Sequence, residues 1–401
     1  LKASDVKYTF ERIIDPKTAS SWASQLSLVD SIEATDDATV TFKMKSPYGP
    51  FLATASASFA AILPQASPEI DFQSTAVGTG PFAWGKYTKD TETVLNANPT
   101  YWDAGFPKLA SLDYKILPDE ATRLASIRTG EVQLTTLTDP VSVDTASKSD
   151  GVTTISQDTT DYYLLGLNCA KAPFNNEKVR QALSLAIDRQ AIIDAVFFGN
   201  GKVSGPIAPT LGDWSLPADQ LPNYKVDTDQ AKALLAEAGV SDLSFKIVVG
   251  DLTTDFQNIA LVIQDQLKKI GVDAQLDQVE WGTFIDRWKA KDFESFVSYN
   301  GSGNDPDRAL YPTVYSTGST NVFGYSDPNV DKLLDQGRAT ADADARKKIY
   351  QEIETTLSTA SPIIFLNTRV AQYALRDTVQ GFKPSAAQTW DTLKETTVSG
   401  S

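Results

Sequence analysis

Histidine is absent from this chain of 401 residues, and cysteine occurs once, at Cys169. These two shortages exclude a structural zinc site built from Cys and His, Cys–His or Ser–His–Asp catalysis, and any disulfide within the chain. Cys169 follows the apolar run 162–167, a setting that suits a small buried hydrophobe better than a nucleophile. Long hydrophobic runs are also missing: no stretch approaches the ~20 apolar residues of a membrane span. The opening LKASDVKYTF lacks a charged region followed by an apolar core, so it does not read as a signal peptide. Positive charge is scarce, with 36 Lys and Arg against 51 Asp and Glu and a net charge of −15. That balance argues against nucleic acid and against anionic lipid as partners, because both need basic patches. It suits a secreted protein kept soluble by its own charge.

Catalytic wording is equally sparse. There is no GxSxG elbow, no HExxH and no dinucleotide fingerprint. Val77 to Phe82, VGTGPF, reads as a turn feeding a strand, because neither a GK pair nor a helix start follows its glycines. Asp342 and Asp344 alternate like calcium ligands but lack the glycine and closing glutamate of an EF-hand loop. The pairs Asp36/Asp37 and Asp305/Asp307 could work as acid and base only in surroundings that split their pKa values. No cofactor and no metal are expected.

What is present is ordinary soluble material, 41% hydrophobic and 22% charged, long enough for two to three domains. Helices are expected at 4–13 with Ser4 as cap, 118–130, 227–239, 256–270, 281–290, 329–337 and 343–357. Strands are expected at 38–44, 82–87, 92–96, 112–116, 131–134, 162–168, 243–249, 272–276, 293–299 and 362–366. The strand–helix–strand run 243–276 predicts a parallel pair with a right-handed crossover. The most informative stretch is 174–193, FNNEKVRQALSLAIDRQAII. Val179, Ala182, Leu183, Ala186 and Ile187 form one apolar helical stripe, Asn176 is placed as N-cap, and Asp188 caps a second short helix.

Pro173-Phe174, Val179-Arg180-Gln181-Ala182 and Ala186-Ile187-Asp188-Arg189 resemble, in that order, the signature of the dipeptide/oligopeptide-binding family of solute-binding proteins. Gly78 to Phe82 and Asn98-Pro99-Thr100-Tyr101-Trp102 extend the resemblance, which runs to about Phe382. It implies an α/β, two-lobed periplasmic-binding-protein-like fold with an extra N-terminal subdomain. The divisions expected are 1–76 for the extra subdomain, 77–156 for lobe I, 157–366 for lobe II and 367–401 for a return to lobe I. It implies a monomeric receptor of an ABC importer, held outside the cytoplasmic membrane as a periplasmic protein or lipoprotein. Such a receptor closes on a small solute and delivers it to membrane permease subunits. Because LKASDVKYTFERIIDP resembles a segment well inside family members, several dozen preceding residues are expected to be missing.

The same resemblance singles out ligand-binding residues. The loop Tyr299-Asn300-Gly301-Ser302-Gly303-Asn304 follows a predicted strand, where α/β sheets tend to bind ligands. Its glycines allow close backbone approach and its Ser and Asn supply neutral donors and acceptors. Many peptide-binding members place an aspartate for the peptide amine where this chain has Ser302, which leaves modified peptides, oligosaccharides and opine-like ligands open. A shift in alignment would bring Asp305 into that role. Trp281, at a helix start, offers a flat apolar face and an N–H donor. Trp214, Asn321 and Phe323 complete the candidates. Two other classes stay open from the residues alone: a hydrolase using the acidic pair near Asp305, and a chaperone of extended peptides.

Overall fold

The computed structural model describes residues 1–20, 22–65, 70–72, 74–301 and 303–400. The chain divides into two compact units, Leu1–Ile155 with Gln372–Ser401, and Ser156–Ala371.

In the first unit, α1 (Ala3–Ile14) packs Phe10 and Ile13 against Val29 and Ile32 of the β1–β2 hairpin (Val29–Ala34, Val40–Met44) and against Ala60, beyond α2 (Phe51–Ala55). The expected cap at Ser4 moves back: Lys2 is the N-cap, and Asp5 accepts its backbone N–H at 2.8 Å. A three-stranded antiparallel sheet follows, β3 (Phe82–Thr88), β4 (Glu92–Ala97) and β5 (Ser111–Lys115). Asn98 pins the glycine turn that feeds β3, donating its side-chain amide to Gly80 O and its backbone N–H to Pro81 O, each at 2.9 Å. Asp119 caps α3 (Glu120–Thr129), and Gly130 ends it at φ +81°, a conformation that glycine adopts without strain. The next strand, β6, covers Leu134–Leu137. It therefore starts where the expected strand 131–134 would end. Asp139 then caps α4 (Pro140–Ser147).

β7 (Val152–Leu167) carries the chain into the second unit. There the signature helices form as their spacing requires. Asn176 accepts the Lys178 N–H ahead of α5 (Glu177–Ala186), and Asp188 accepts the Ala191 N–H ahead of α6 (Arg189–Phe197). The two signature arginines are buried structural donors: Arg180 to Phe174 O and Ala360 O, Arg189 to Phe365 O and Ser184. They satisfy carbonyls that would otherwise be orphaned in the core. α7 (Thr228–Glu237) is capped by Asp227.

β8 (Ser244–Gly250), α8 (Thr254–Lys268), β9 (Asp273–Val279), α9 (Trp281–Ala290) and β10 (Ser295–Gly301) follow in strict alternation. β8 pairs in parallel with β9 on one side and β10 on the other, and β10 pairs antiparallel with β7. The expected parallel pair is present, with α8 between its two strands. α10 (Pro306–Val314), α11 (Pro328–Ala339) and α12 (Ala343–Ala360) complete the unit. β11 (Ile363–Arg376) leads back to the first unit, where it pairs with β6 before the short β12–β13 pair (Val379–Gln380, Thr397–Val398).

Alternation along the strands sorts two cores onto the two faces of this sheet. Leu165, Ile247, Val249 and Val297 pack with α8, while Leu164, Val248 and Phe296 pack with Phe284 of α9 and with α10 to α12.

Candidate ligand-binding site

From β8 the chain crosses through α8 to β9, then through α9 back past β8 to β10, so strand order reverses at β8. At such a reversal the two crossover helices leave on opposite faces, and a crevice opens beyond the carboxyl ends of the strands. β8 ends there at Gly250, where an added Cβ would lie 2.8 Å from Trp281 Cε3. The bare glycine lets the indole lie across the strand end. Asp251 accepts the Trp281 N–H at 2.8 Å and Glu280 accepts that of Thr283, so two carboxylates fix the start of α9. Trp281 then stacks on Phe284, with centroids 4.9 Å apart and planes 10° from parallel.

A cavity of about 320 Å³ opens against this stack. Its aromatic wall includes Trp281, Phe284, Trp288, Phe296 and Phe323; Phe323 stacks on Phe296 at 5.6 Å. Its polar groups are Ser298, Asn300, Thr313 and Thr320. These are linked: Asn300 Nδ2 donates to Thr313 Oγ1, which meets Thr320 Oγ1, each at 3.4 Å. No Asp, Glu, Lys or Arg lines the cavity among the described residues. Its chemistry is a flat apolar surface with neutral hydrogen-bonding groups, suited to holding part of a solute and devoid of an acid or base. Larger depressions, about 460 Å³ beside β5 and β6 and about 550 Å³ on α11, hold none of the candidate residues.

Four of the candidates meet at this cavity: Trp281, Tyr299, Asn300 and Phe323. Ser302 lies outside the described residues. Gly303 has φ +60°, and a Cβ there would press within 2.7 Å of the Arg308 side chain, so it shapes the loop. Asn304 is exposed and does not line the cavity. Asn321 is buried, its amide donating to Tyr315 O and Tyr325 O at 2.9 and 2.7 Å, which makes it a loop staple. Trp214 packs edge-on against Tyr350 at 6.0 Å, away from the cavity lining. Trp288 and Phe284 were not among the candidates, although Trp281, Phe284, Ile285 and Trp288 spell an i, i+3, i+4, i+7 stripe.

The acidic pair near Asp305 is structural. Asp305 caps α10, accepting the Asp307 N–H, and its two oxygens take Arg346 Nη1 and Nη2 at 2.6 and 2.7 Å. Asp307 is gripped by Arg338 at 2.9 to 3.1 Å and by the Tyr350 hydroxyl at 3.0 Å. Both carboxylates are buried. With its oxygens held this way Asp305 has no room for a solute amine, and the pair has no open face for hydrolysis. Among the described residues no group of three or more His, Cys, Asp or Glu could hold a metal ion.

A doubly wound sheet with an uncharged aromatic cavity at its reversal point has a geometry suited to holding a solute. The chain belongs to the bacterial extracellular solute-binding proteins, family 5 Middle, whose profile matches residues 1–321. It is 28% identical over 96% of its length to di/tripeptide-binding protein 1 of Pseudomonas aeruginosa (strain UCBPP-PA14), covering 76% of that protein. Heme-binding protein A of Haemophilus influenzae is 29% identical over 96% of this chain, which covers 74% of it. The structure of AgaA from A. tumefaciens R10 in complex with agropinic acid superposes with a TM-score of 0.82 at 27% identity, covering 100% of this chain and 84% of that one. The protein is accordingly an extracytoplasmic receptor of an ABC importer, a binding protein and not an enzyme, with a small-molecule or peptide ligand and a membrane permease as partners. No helix among the described residues is long and apolar enough to cross a membrane.

Proposed function

We propose that this receptor acts as a monomer and holds its solute at the carboxyl ends of β8 and β10. Trp281 provides the principal apolar contact, with Tyr299, Asn300 and Phe323 beside it. Ser302, Gly303 and Asn304 belong to the same binding loop in this reading. The observation that carries it is the stacked Trp281–Phe284 pair facing a cavity whose polar groups are all neutral. Such a surface takes a flat apolar or aromatic group, or the apolar face of a sugar ring, and leaves ionic recognition to residues outside it. The relatives named for di/tripeptides, heme and agropinic acid show how varied the solutes of this family are.

Titration of the full chain with panels of short peptides and sugars, followed by tryptophan emission and calorimetry, tests the reading. Saturable binding is expected, and Trp281→Ala should weaken it by about 1–2 kcal/mol. Unchanged affinity in Trp281→Ala removes the indole from the site.

A further inference from the structure

Asparagine followed by glycine occurs twice, at Asn200-Gly201 and Asn300-Gly301. A side-chain carboxamide and the next backbone nitrogen can close into a five-membered ring, and glycine opposes closure least because it has no Cβ. Closure needs two freedoms. The asparagine must rotate over the next peptide unit, and that peptide nitrogen must be open to lose its proton. The two pairs differ in both.

Asn300-Gly301 is held. It ends β10, paired with Tyr162 and Asp161 of β7. Asn300 Oδ1 accepts the Gly301 N–H at 2.9 Å, and Nδ2 donates to Thr313 Oγ1 at 3.4 Å. A Cβ at Gly301 would lie 2.7 Å from Asp161 Oδ1. A carboxylate therefore stands beside this peptide unit and opposes a further negative charge on its nitrogen.

Asn200-Gly201 is loose. It follows Phe198, the left-handed C-cap of α6, and Gly199, at φ +54° and +81°, in a turn outside any helix. Asn200 is exposed, and its Nδ2 donates to Phe197 O at 2.9 Å, a bond open to water. Gly201 has φ +117°, a conformation that favours glycine, and among the described residues its N–H meets no acceptor. Just beyond it the chain is clasped to β11. Lys202 donates its N–H to Thr368 Oγ1 at 2.9 Å and accepts the Thr368 N–H at 2.8 Å, and Val203 bridges Asn367. The Asn200–Gly201 link is the free span between α6 and this clasp.

We propose that Asn200-Gly201 is a deamidation site that converts to aspartyl and isoaspartyl forms in the folded protein, while the fold keeps Asn300 neutral at the aromatic cavity. The Gly201 nitrogen, its proton taken by hydroxide, bonds to Asn200 Cγ, and Nδ2 leaves as ammonia with a proton from water. One water then opens the succinimide at either carbonyl, giving the aspartyl or the isoaspartyl link; nothing is oxidised or reduced. The isoaspartyl form adds one backbone methylene and one negative charge ahead of the clasp, and so loosens the Lys202–Thr368 hydrogen bonds.

The test incubates the folded full chain in warm, mildly alkaline buffer and follows both asparagines by peptide mapping with mass spectrometry. The Asn200 peptide should split into aspartyl and isoaspartyl forms at least about tenfold faster than the Asn300 peptide, because Asn300 reacts only when β10 opens locally. The same incubation in urea should bring the two rates within about threefold of each other. Asn200→Gln should abolish the new peptides. In the isoaspartyl form, separated by its added charge, the Thr368 amide should exchange hydrogen faster than in the unmodified chain. An Asn200 that stays intact, or converts no faster than Asn300, overturns the site. An equal difference in rates in urea overturns the role of the fold, and unchanged exchange at Thr368 overturns the loosening of the clasp. If Asn200→Gln fails to fold, the comparison of the two peptides in the wild type decides the question alone.

Discussion

Glu354, on α12, is fully buried and accepts two backbone N–H groups, from Leu216 at 2.7 Å and Ile207 at 3.3 Å. Gly205 packs beside it so closely that a Cβ there would lie 2.5 Å from Glu354 Oε1. No cation is paired with this carboxylate in the described structure. Burial pushes its pKa up from 4.5 to about 8, against the pull of the two N–H donors. The folded state therefore binds more protons than the unfolded chain between those two values, and stability falls as pH rises through that window. A shift of that size corresponds to roughly 4–5 kcal/mol between pH 4 and pH 9. The chain has no histidine to titrate in this window, and the Cys169 thiol, pushed by burial from 9 up to about 11, adds a slope of the same sign only near pH 9 and above. Asp307, raised by burial against the pull of Arg338, adds a slope of the same sign at the acid end. The difference between wild type and Glu354→Gln therefore isolates Glu354. Glutamine keeps one carbonyl acceptor but turns an amide donor toward the second N–H, at a cost of about 1–2 kcal/mol. Urea unfolding at pH 5, 7 and 9 should show the wild type more stable at pH 5 and the variant more stable at pH 9. Parallel curves across that range would refute the reasoning.

Other substitutions separate structure from binding. Asp305→Asn leaves Arg346 buried without its bidentate partner and should destabilise the fold by about 3–5 kcal/mol, read as a lower urea midpoint; a neutral result would mean that the pair is not closed in solution. Gly250→Ala places a methyl against Trp281 and Phe284, 2.8 and 3.1 Å from their nearest atoms, and should weaken solute binding several-fold, by about 1 kcal/mol or more, as read by calorimetry. Affinity equal to wild type would show that the indole is free to move aside.

Much of the second unit was legible from spacing and cap residues. Asn176, Asp188 and Asp227 stand where their backbone partners need them, and α9 begins and ends at the expected residues. Misplacements came where local signals were weak or in conflict. No helix was expected between 290 and 329, yet an aspartate followed by proline is a helix start, and α10 begins there with a second proline inside it. β7 and β11 run to 16 and 14 residues because long stretches are buried on both faces, which removes the alternation that marks strand ends. At the candidate site, the family resemblance pointed to Trp281 and the strand-end loop, and the structure brings Trp281, Tyr299 and Asn300 to one cavity. The partners of Asp305 were not, since Arg346 lies 41 residues further on and reaches it only through the packing of α12. Nor was the facing of Asp161 and Gly301, which depends on the register of β7 against β10.

The central claim is that this chain captures a small solute beside Trp281 and releases it unchanged. Native mass spectrometry of the purified full chain, mixed with equimolar solute identified by titration, tests it most directly. The expected spectrum shows one solute per chain, recovered intact on denaturation, with occupancy falling in Trp281→Ala. Recovery of a cleaved or modified solute, or equal occupancy in wild type and variant, would contradict it.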